Sequence, residues 1–262
     1  MVKLSSLLSL IRNENMKIYY RPRTWIMAGL VLVATICFAF LLKSFGTDGF
    51  INTLAFASNA ASLTFLVFIF SVVIAADIVA GEFTWGTIKL LLIRPVSRSK
   101  VLLSKYIAVL LFMLMLLALL FVSSLVLGLL LFGSGGPGSS EDIPLTMSGI
   151  LREYGFRLID LVIQVTFAFM ISTVFRSSAL AISLAFVIMF ASNSVMTALI
   201  ALKKTWAKYI LFANTDLSIY FGGRKPPFEG MTLGFSVTMI VLYYALFIVL
   251  AWTIFRKRDV AG

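Results

Sequence analysis

Six long apolar runs, divided by short polar or charged clusters, set the pattern of this chain. A helix needs about 20 apolar residues to cross ~30 Å of hydrocarbon. On that length the runs predict membrane spans at 24–42, 59–80, 106–132, 158–175, 179–201 and 232–255. The fourth follows Arg157, carries Asp160 and Gln164, and ends at Arg176. Only Arg176-Ser177-Ser178 separates it from the fifth, which predicts a tight helical hairpin. Ahead of the first run, Leu4, Leu7, Leu8, Ile11 and Ile18 fall near helical spacing. Lys3, Ser5, Ser9, Arg12 and Asn13 occupy much of the other side. Such a helix lies in the interface instead of crossing it. Arg21-Pro22-Arg23 breaks it before the first span. The expected fold class is therefore an all-α membrane protein, with an amphipathic segment at 1–23 and a six-helix domain at 24–262.

The polar clusters differ in character. Loop 133–157 begins with GSGGPGSS, a flexible composition, and its IPLTMSGILREYGF stretch is expected to form a short interfacial helix. Loop 202–231 holds Lys203-Lys204-Thr205-Trp206 and Pro226-Pro227, and its Trp206, Tyr209 and Tyr220 suit a membrane–water interface. Loop 81–105 is basic and amphipathic. Helical spacing puts Trp85, Ile88, Leu91 and Leu92 close to one face. Arg94-Pro95 ends that helix, because the residue before proline avoids the α region. Ser97 or Ser99 then offers an N-cap for the third span.

Composition sharpens this picture. At 61% hydrophobic residues and a mean hydropathy of +1.04, the chain is too apolar for a soluble domain, whose surface must face water. The net charge of +11 does not point to nucleic acid, because the cations sit at the ends of apolar runs, where they meet lipid head groups. With the N-terminus inside, inner segments carry 14 Lys and Arg and outer loops carry 8, which places both termini in the cytoplasm. Loop 202–231 runs against that rule with five cations, so its charge is read either as solvated or as a contact for lipid phosphates or an anionic substrate. Residues 1–23 are too polar for the core of a signal peptide, so no cleavable leader is expected. The single cysteine, Cys37, excludes an intrachain disulfide. The absence of histidine removes Ser-His and Cys-His nucleophilic pairs and HExxH zinc sites.

The 81–105 pattern resembles the ABC-2-type permease family, the membrane subunits of ABC exporters, and within it the bacitracin-resistance type. The residues that carry the resemblance are Glu82, Gly86-Thr87-Ile88-Lys89, Leu91-Leu92, Arg94-Pro95-Val96-Ser97-Arg98 and Lys105-Tyr106. Asn13-Glu14 followed by Lys17, and the terminal Phe255-Arg256-Lys257-Arg258-Asp259-Val260, extend it over the whole chain. The resemblance implies a type V exporter-like permease. It implies a second permease, identical or related, and two copies of a cytosolic ABC ATPase. ATP and Mg would be held by that ATPase, with no cofactor or metal on this chain. Glu82, Trp85, Gly86, Thr87, Lys89, Leu91, Arg94, Pro95 and Arg98 would form the ATPase-coupling loop, with Glu14 and Lys17 on the interfacial helix beside it. No GxxxxGK[ST] motif is present, so hydrolysis would take place on the partner.

Each of these residues also has a plainer role. Glu82 is either half of a salt bridge, to an arginine of the coupling region or to the ATPase, or a carboxylate at the membrane edge. Arg94 and Arg98 suit bidentate contact with acidic residues and equally satisfy the positive-inside rule. Gly86 is expected to permit close helix packing. Asp77 is expected to pair with a cation near the inner face, since a charge in hydrocarbon is costly. Asp160 and Gln164 share a helix face and either line a pathway or leave Asp160 to pair with Arg157. Asn193 either lines the pathway or bonds a neighbouring helix. Phe65 and Phe169, with Phe68, Phe167, Met170, Phe186 and Met189, either line a path for amphiphiles or pack against lipid and core. The function expected from the resemblance is export of an amphiphilic antimicrobial compound from a bacterial membrane. A membrane sensor or assembly module using the same loop to recruit a partner is the alternative. An intramembrane enzyme and a secondary transporter both lack the ionisable groups they need.

Overall fold

A computed structural model describes residues 7–45, 52–87, 96–133, 146–221 and 225–257. The described residues are helical with connecting turns and contain no strand. The helices are α1 (Leu7–Tyr19), α2 (Pro22–Phe45), α3 (Thr53–Ala60), α4 (Thr64–Thr84), α5 (Arg98–Leu131), α6 (Met147–Val174), α7 (Ser178–Ala201) and α8 (Leu233–Lys257). A 3-10 turn at Ala61–Leu63 joins α3 to α4, so Thr53–Thr84 runs as one span. Among the described residues, six helical stretches are long and apolar enough to cross a membrane, at the six positions the apolar runs predict.

Several boundaries move. The second span starts earlier than predicted because Asn52 caps α3, its Oδ1 accepting from the Ala55 N–H at 2.8 Å. The third starts at Arg98, with Ser97 at the N-cap position, and carries Lys105 inside the helix. The expected interfacial helix before the fourth span is instead the opening of α6, which continues unbroken from Met147. Ser148–Arg157 contains no proline, so the backbone propagates through it despite Gly149 and Gly155. On α1 the buried stripe is Leu10, Glu14 and Ile18. Leu8, expected on the apolar face, is largely exposed. The stripe follows i, i+4 spacing, and it accepts a carboxylate because a cation meets it there.

The chain gathers into two compact units, one from residues 16–70 and 111–158, the other from 1–15, 71–110 and 159–262. In the first, Ala39, Phe56 and Ala60 form a core with Phe38, Leu42, Leu127, Leu131 and Phe132. Phe56 stacks on Phe132 at 5.2 Å between ring centroids. Thr53 Oγ1 donates to the Gly133 carbonyl at 2.7 Å. The Tyr154 hydroxyl donates to the Ala57 carbonyl at 3.3 Å. Gly128 lets α5 approach α3 closely, since an added Cβ would lie 3.0 Å from Thr53 Cγ2 and 3.1 Å from its carbonyl oxygen. Backbone cannot yield as a flexible side-chain tip does. Gly128→Val is expected to destabilise the chain by roughly 1–3 kcal/mol, read as a lower melting temperature in detergent.

In the second unit, Ser172 ties α6 into α4. Its Oγ donates to the Ala76 carbonyl at 2.7 Å and accepts from the Ala80 N–H at 3.0 Å, two ladder positions of α4. The predicted hairpin forms, with α6 ending at Val174 and α7 starting at Ser178 behind an N-cap at Ser177. Thr84 holds it, accepting from the Ser178 N–H at 3.1 Å and donating to the Arg176 carbonyl at 3.3 Å. α7 buries only the stripe Ala181, Ala185, Met189, Ser192 and Met196.

Candidate functional site

The second unit contains a buried charge cluster that joins three separate parts of the sequence. Lys105 lies two turns into α5, Glu82 in the last turn of α4, and Glu14 on the buried stripe of α1. Lys105 Nζ donates to Glu14 Oε2 at 2.8 Å and to Glu82 Oε1 at 2.9 Å. Lys105 is 1% exposed and Glu14 is 7%. A buried ammonium is tolerated only when paired and hydrogen-bonded, and here two carboxylates share it. The second oxygen of Glu82 accepts from the Thr87 hydroxyl. One carboxylate thus spans from the lysine to the first residues of the 81–105 loop.

The geometry follows from helix register. Glu14 is four residues from both Leu10 and Ile18, so it rides the face α1 buries. Glu82 ends a helix whose neighbours Val79 and Ala80 are fully buried. The lysine comes from the helix that follows the loop, so the cluster grips the chain on both sides of residues 88–95 and ties the N-terminal helix to that grip.

The remaining loop residues fall as follows. Trp85, Gly86 and Thr87 form a turn that leaves α4, and Trp85 is exposed. Gly86 takes φ +67°, and nothing lies within 4 Å of an added Cβ. Its role is the left-handed turn, not the close helix packing expected of it, because only glycine adopts that conformation without penalty. Gly86→Ala is expected to cost about 1–2 kcal/mol, measurable as a lowered melting temperature with membrane insertion intact. Lys89, Leu91, Arg94 and Pro95, and with them most of the expected coupling helix, lie outside the described residues. Arg98 opens α5, and its Nη1 donates to the Arg256 carbonyl at 3.2 Å. It satisfies an end carbonyl of α8, where a cation also suits the helix dipole. Lys17 is exposed on α1.

Asp77 is buried one turn before Gly81 and accepts a hydrogen bond from Ser178 Oγ at the start of α7. A helix N-terminus favours a carboxylate. Asp160 and Gln164 do share a face, with Gln164 Nε2 donating to Asp160 Oδ1 at 2.6 Å. Phe169 is fully buried against Tyr106, ring centroids 5.2 Å apart, while Phe65 and Asn193 are exposed. Tyr106 adds a buried polar node, its hydroxyl 2.8 Å from Thr166 Oγ1 and 3.1 Å from the Tyr244 hydroxyl.

Sequence reasoning assigned Lys105 to the loop's basic count and to the family resemblance, but not to a site. The signal that was available is its position: it is the last cation before an apolar run, one heptad past the start of the helix.

Two curated relatives and one family match this chain. The uncharacterized protein YhcI of Bacillus subtilis (strain 168) is 38% identical, the alignment covering 98% of this chain and 100% of the relative. The uncharacterized membrane protein YdbK of the same organism is 34% identical over 94% of this chain and 99% of its own length. The family described as "Protein of unknown function (DUF2705)" matches residues 23–261.

Proposed function

The chain belongs to the DUF2705 family, and we propose that it is the membrane-spanning permease subunit of an ATP-driven ABC exporter. The cargo is an amphiphilic antimicrobial peptide or antibiotic, or a lipid-like compound, leaving a bacterial cell membrane, which confers resistance. The architecture is that of a type V exporter, with α1 lying in the inner interface and both termini cytoplasmic. Two permeases, identical or related, assemble with two ATPase subunits that hold ATP and Mg. This chain hydrolyses nothing itself.

The observation that carries the reading is the cluster of Lys105 with Glu14 and Glu82. A permease must convert movement of a cytosolic partner into movement of its spans. One buried ammonium clamps the chain on both sides of residues 88–95, and clamps α1 as well, so these helices move together at that point. Such rigid-body transmission is a recognised route for coupling distant events. The exposed Trp85 beside the clamp and the basic residues of 88–98 then supply the docking surface.

The test is an affinity pull-down of the full chain from mild-detergent membranes of its native cell, with mass spectrometry of what accompanies it. A stoichiometric ATPase bearing a Walker motif is the expected result, and a second permease in the same preparation would identify a heterodimer. Recovery of this chain alone, under conditions that preserve a known ABC complex, overturns the proposal.

A further inference from the structure

We propose that the segment 202–221 is a preformed binding platform for anionic phospholipid head groups, on the membrane face opposite the Glu14–Lys105–Glu82 cluster. α7 begins at Ser178, which is bonded to Thr84, and its 24 residues end at Ala201. At 1.5 Å per residue this places the segment about 36 Å away, roughly one membrane thickness.

The segment is a built structure, unlike a solvated loop. Short 3-10 turns at Thr205–Tyr209, Leu211–Ala213 and Leu217–Tyr220 fold it back on α7 and α8. Its Ala207 packs into a small core with Met196 of α7 and with Phe228 and Met231 from the chain that follows. Asn214, 1% exposed, holds its shape. Its Nδ2 donates to the Lys208 and Ile210 carbonyls at 2.8 and 2.9 Å, and its Oδ1 accepts from Ser236 Oγ of α8 at 2.9 Å. Tyr243 of α8 donates to the Tyr209 carbonyl at 3.0 Å.

This rigid frame presents cations and aromatic rings together. Lys203, Lys204 and Lys208 fall within six residues, and Lys203 and Lys204 are exposed. Trp206 is 56% and Tyr209 53% exposed. Indole and phenol rings favour the head-group level, and lysines beside them meet lipid phosphates.

Lys203 adds an independent observation. The end of α7 is a Schellman cap, with Lys204 N–H donating to the Leu199 carbonyl at 3.1 Å and Lys203 N–H to the Ile200 carbonyl at 3.0 Å. The residue at that position takes φ +50°, where glycine is the usual occupant. A lysine held there accepts backbone strain, and strain of this kind concentrates at functional positions. The strain sets a cation on the platform where the fold alone favours glycine.

The experiment uses the full chain purified in neutral detergent, titrated with short-chain phosphatidylglycerol and, separately, phosphatidylcholine, with bound lipid counted by native mass spectrometry. The wild type is expected to prefer phosphatidylglycerol, and the preference is expected to weaken at high salt. Each lysine near a membrane surface contributes about fivefold. The triple variant Lys203→Gly, Lys204→Gln, Lys208→Gln is therefore expected to lose phosphatidylglycerol affinity by roughly 10²-fold with phosphatidylcholine unchanged. Lys203→Gly alone controls for folding: it relieves the left-handed strain, so it is expected to melt no lower than wild type while still losing about fivefold in affinity. Equal binding of the two lipids by wild type, or undiminished preference in the triple variant, overturns the platform. Inorganic phosphate that displaces the lipid at equal concentration overturns it too, because the site would then read a free anion.

Discussion

Lys105→Met is expected to destabilise the protein by about 3–5 kcal/mol, because it leaves the carboxylates of Glu14 and Glu82 facing each other without the ammonium between them. The size of the effect comes from desolvation. Lys105 is 1% exposed, and the side chains of Glu14 and Glu82 are 9% and 13% exposed, so water screens little of the repulsion. The measurement is thermal unfolding in detergent, where a fall in Tm of roughly 10 °C is expected. The companion variant replaces all three residues, Glu14→Gln, Glu82→Gln and Lys105→Met. Removing a whole buried ion cluster is often neutral, so the triple variant is expected to regain most of the stability. A Lys105→Met protein that melts with wild type would show that the cluster does not hold these helices. A triple variant as unstable as the single one would assign the effect to packing. On the proposed function the triple variant also separates stability from coupling, since it is expected to fold and dock an ATPase but to show no substrate-stimulated hydrolysis.

On the proposed function, reversing the charge of both arginines, Arg94→Glu with Arg98→Glu, is expected to reduce recovery of the proposed ATPase partner in the pull-down by roughly 10²-fold. Loss of one partner in a desolvated charge pair costs 2–5 kcal/mol or more, and a reversal adds repulsion. The two positions are not equivalent. Arg98 already donates to the Arg256 carbonyl, so its reversal puts a carboxylate beside the negative end of α8 and loosens that helix. Arg94→Glu alone is therefore the cleaner probe. It is expected to lose most of the ATPase while melting with wild type. Unchanged co-purification of both variants would remove the arginines from the docking surface. Loss in the double variant but not in Arg94→Glu would move the effect to the Arg98–α8 contact.

The sequence by itself determined the number and type of the membrane-length elements. A membrane span must satisfy its backbone hydrogen bonds internally and needs about 20 apolar residues to do so, and both requirements are local. The six runs therefore announce six helices, and the triplet Arg176-Ser177-Ser178 announces the hairpin. The break at Pro22 is local for the same reason, whereas the sequence left the cap of the third span open between Ser97 and Ser99. Gly86 was visible as a special position, but its reason was not, because close packing and a positive φ both select glycine and only the backbone distinguishes them.

What only the tertiary structure decided are the pairings between distant residues. Glu14 and Lys105 stand 91 positions apart, and Asn214 and Ser236 stand 22 apart. Helix spacing puts Glu14 on the face of α1 shared by Leu10 and Ile18, where the local sequence offers its charge no partner. Glu14 turns inward because a lysine from another helix meets it there, and the pairing offsets a burial that neither charge alone would tolerate. The same holds for the five cations of 202–231. Their number breaks the charge rule that orients the spans, but a count has no geometry. The fold on which three of them sit, with Asn214 bonded inside and Lys203 strained into place, turns the anomaly into a surface.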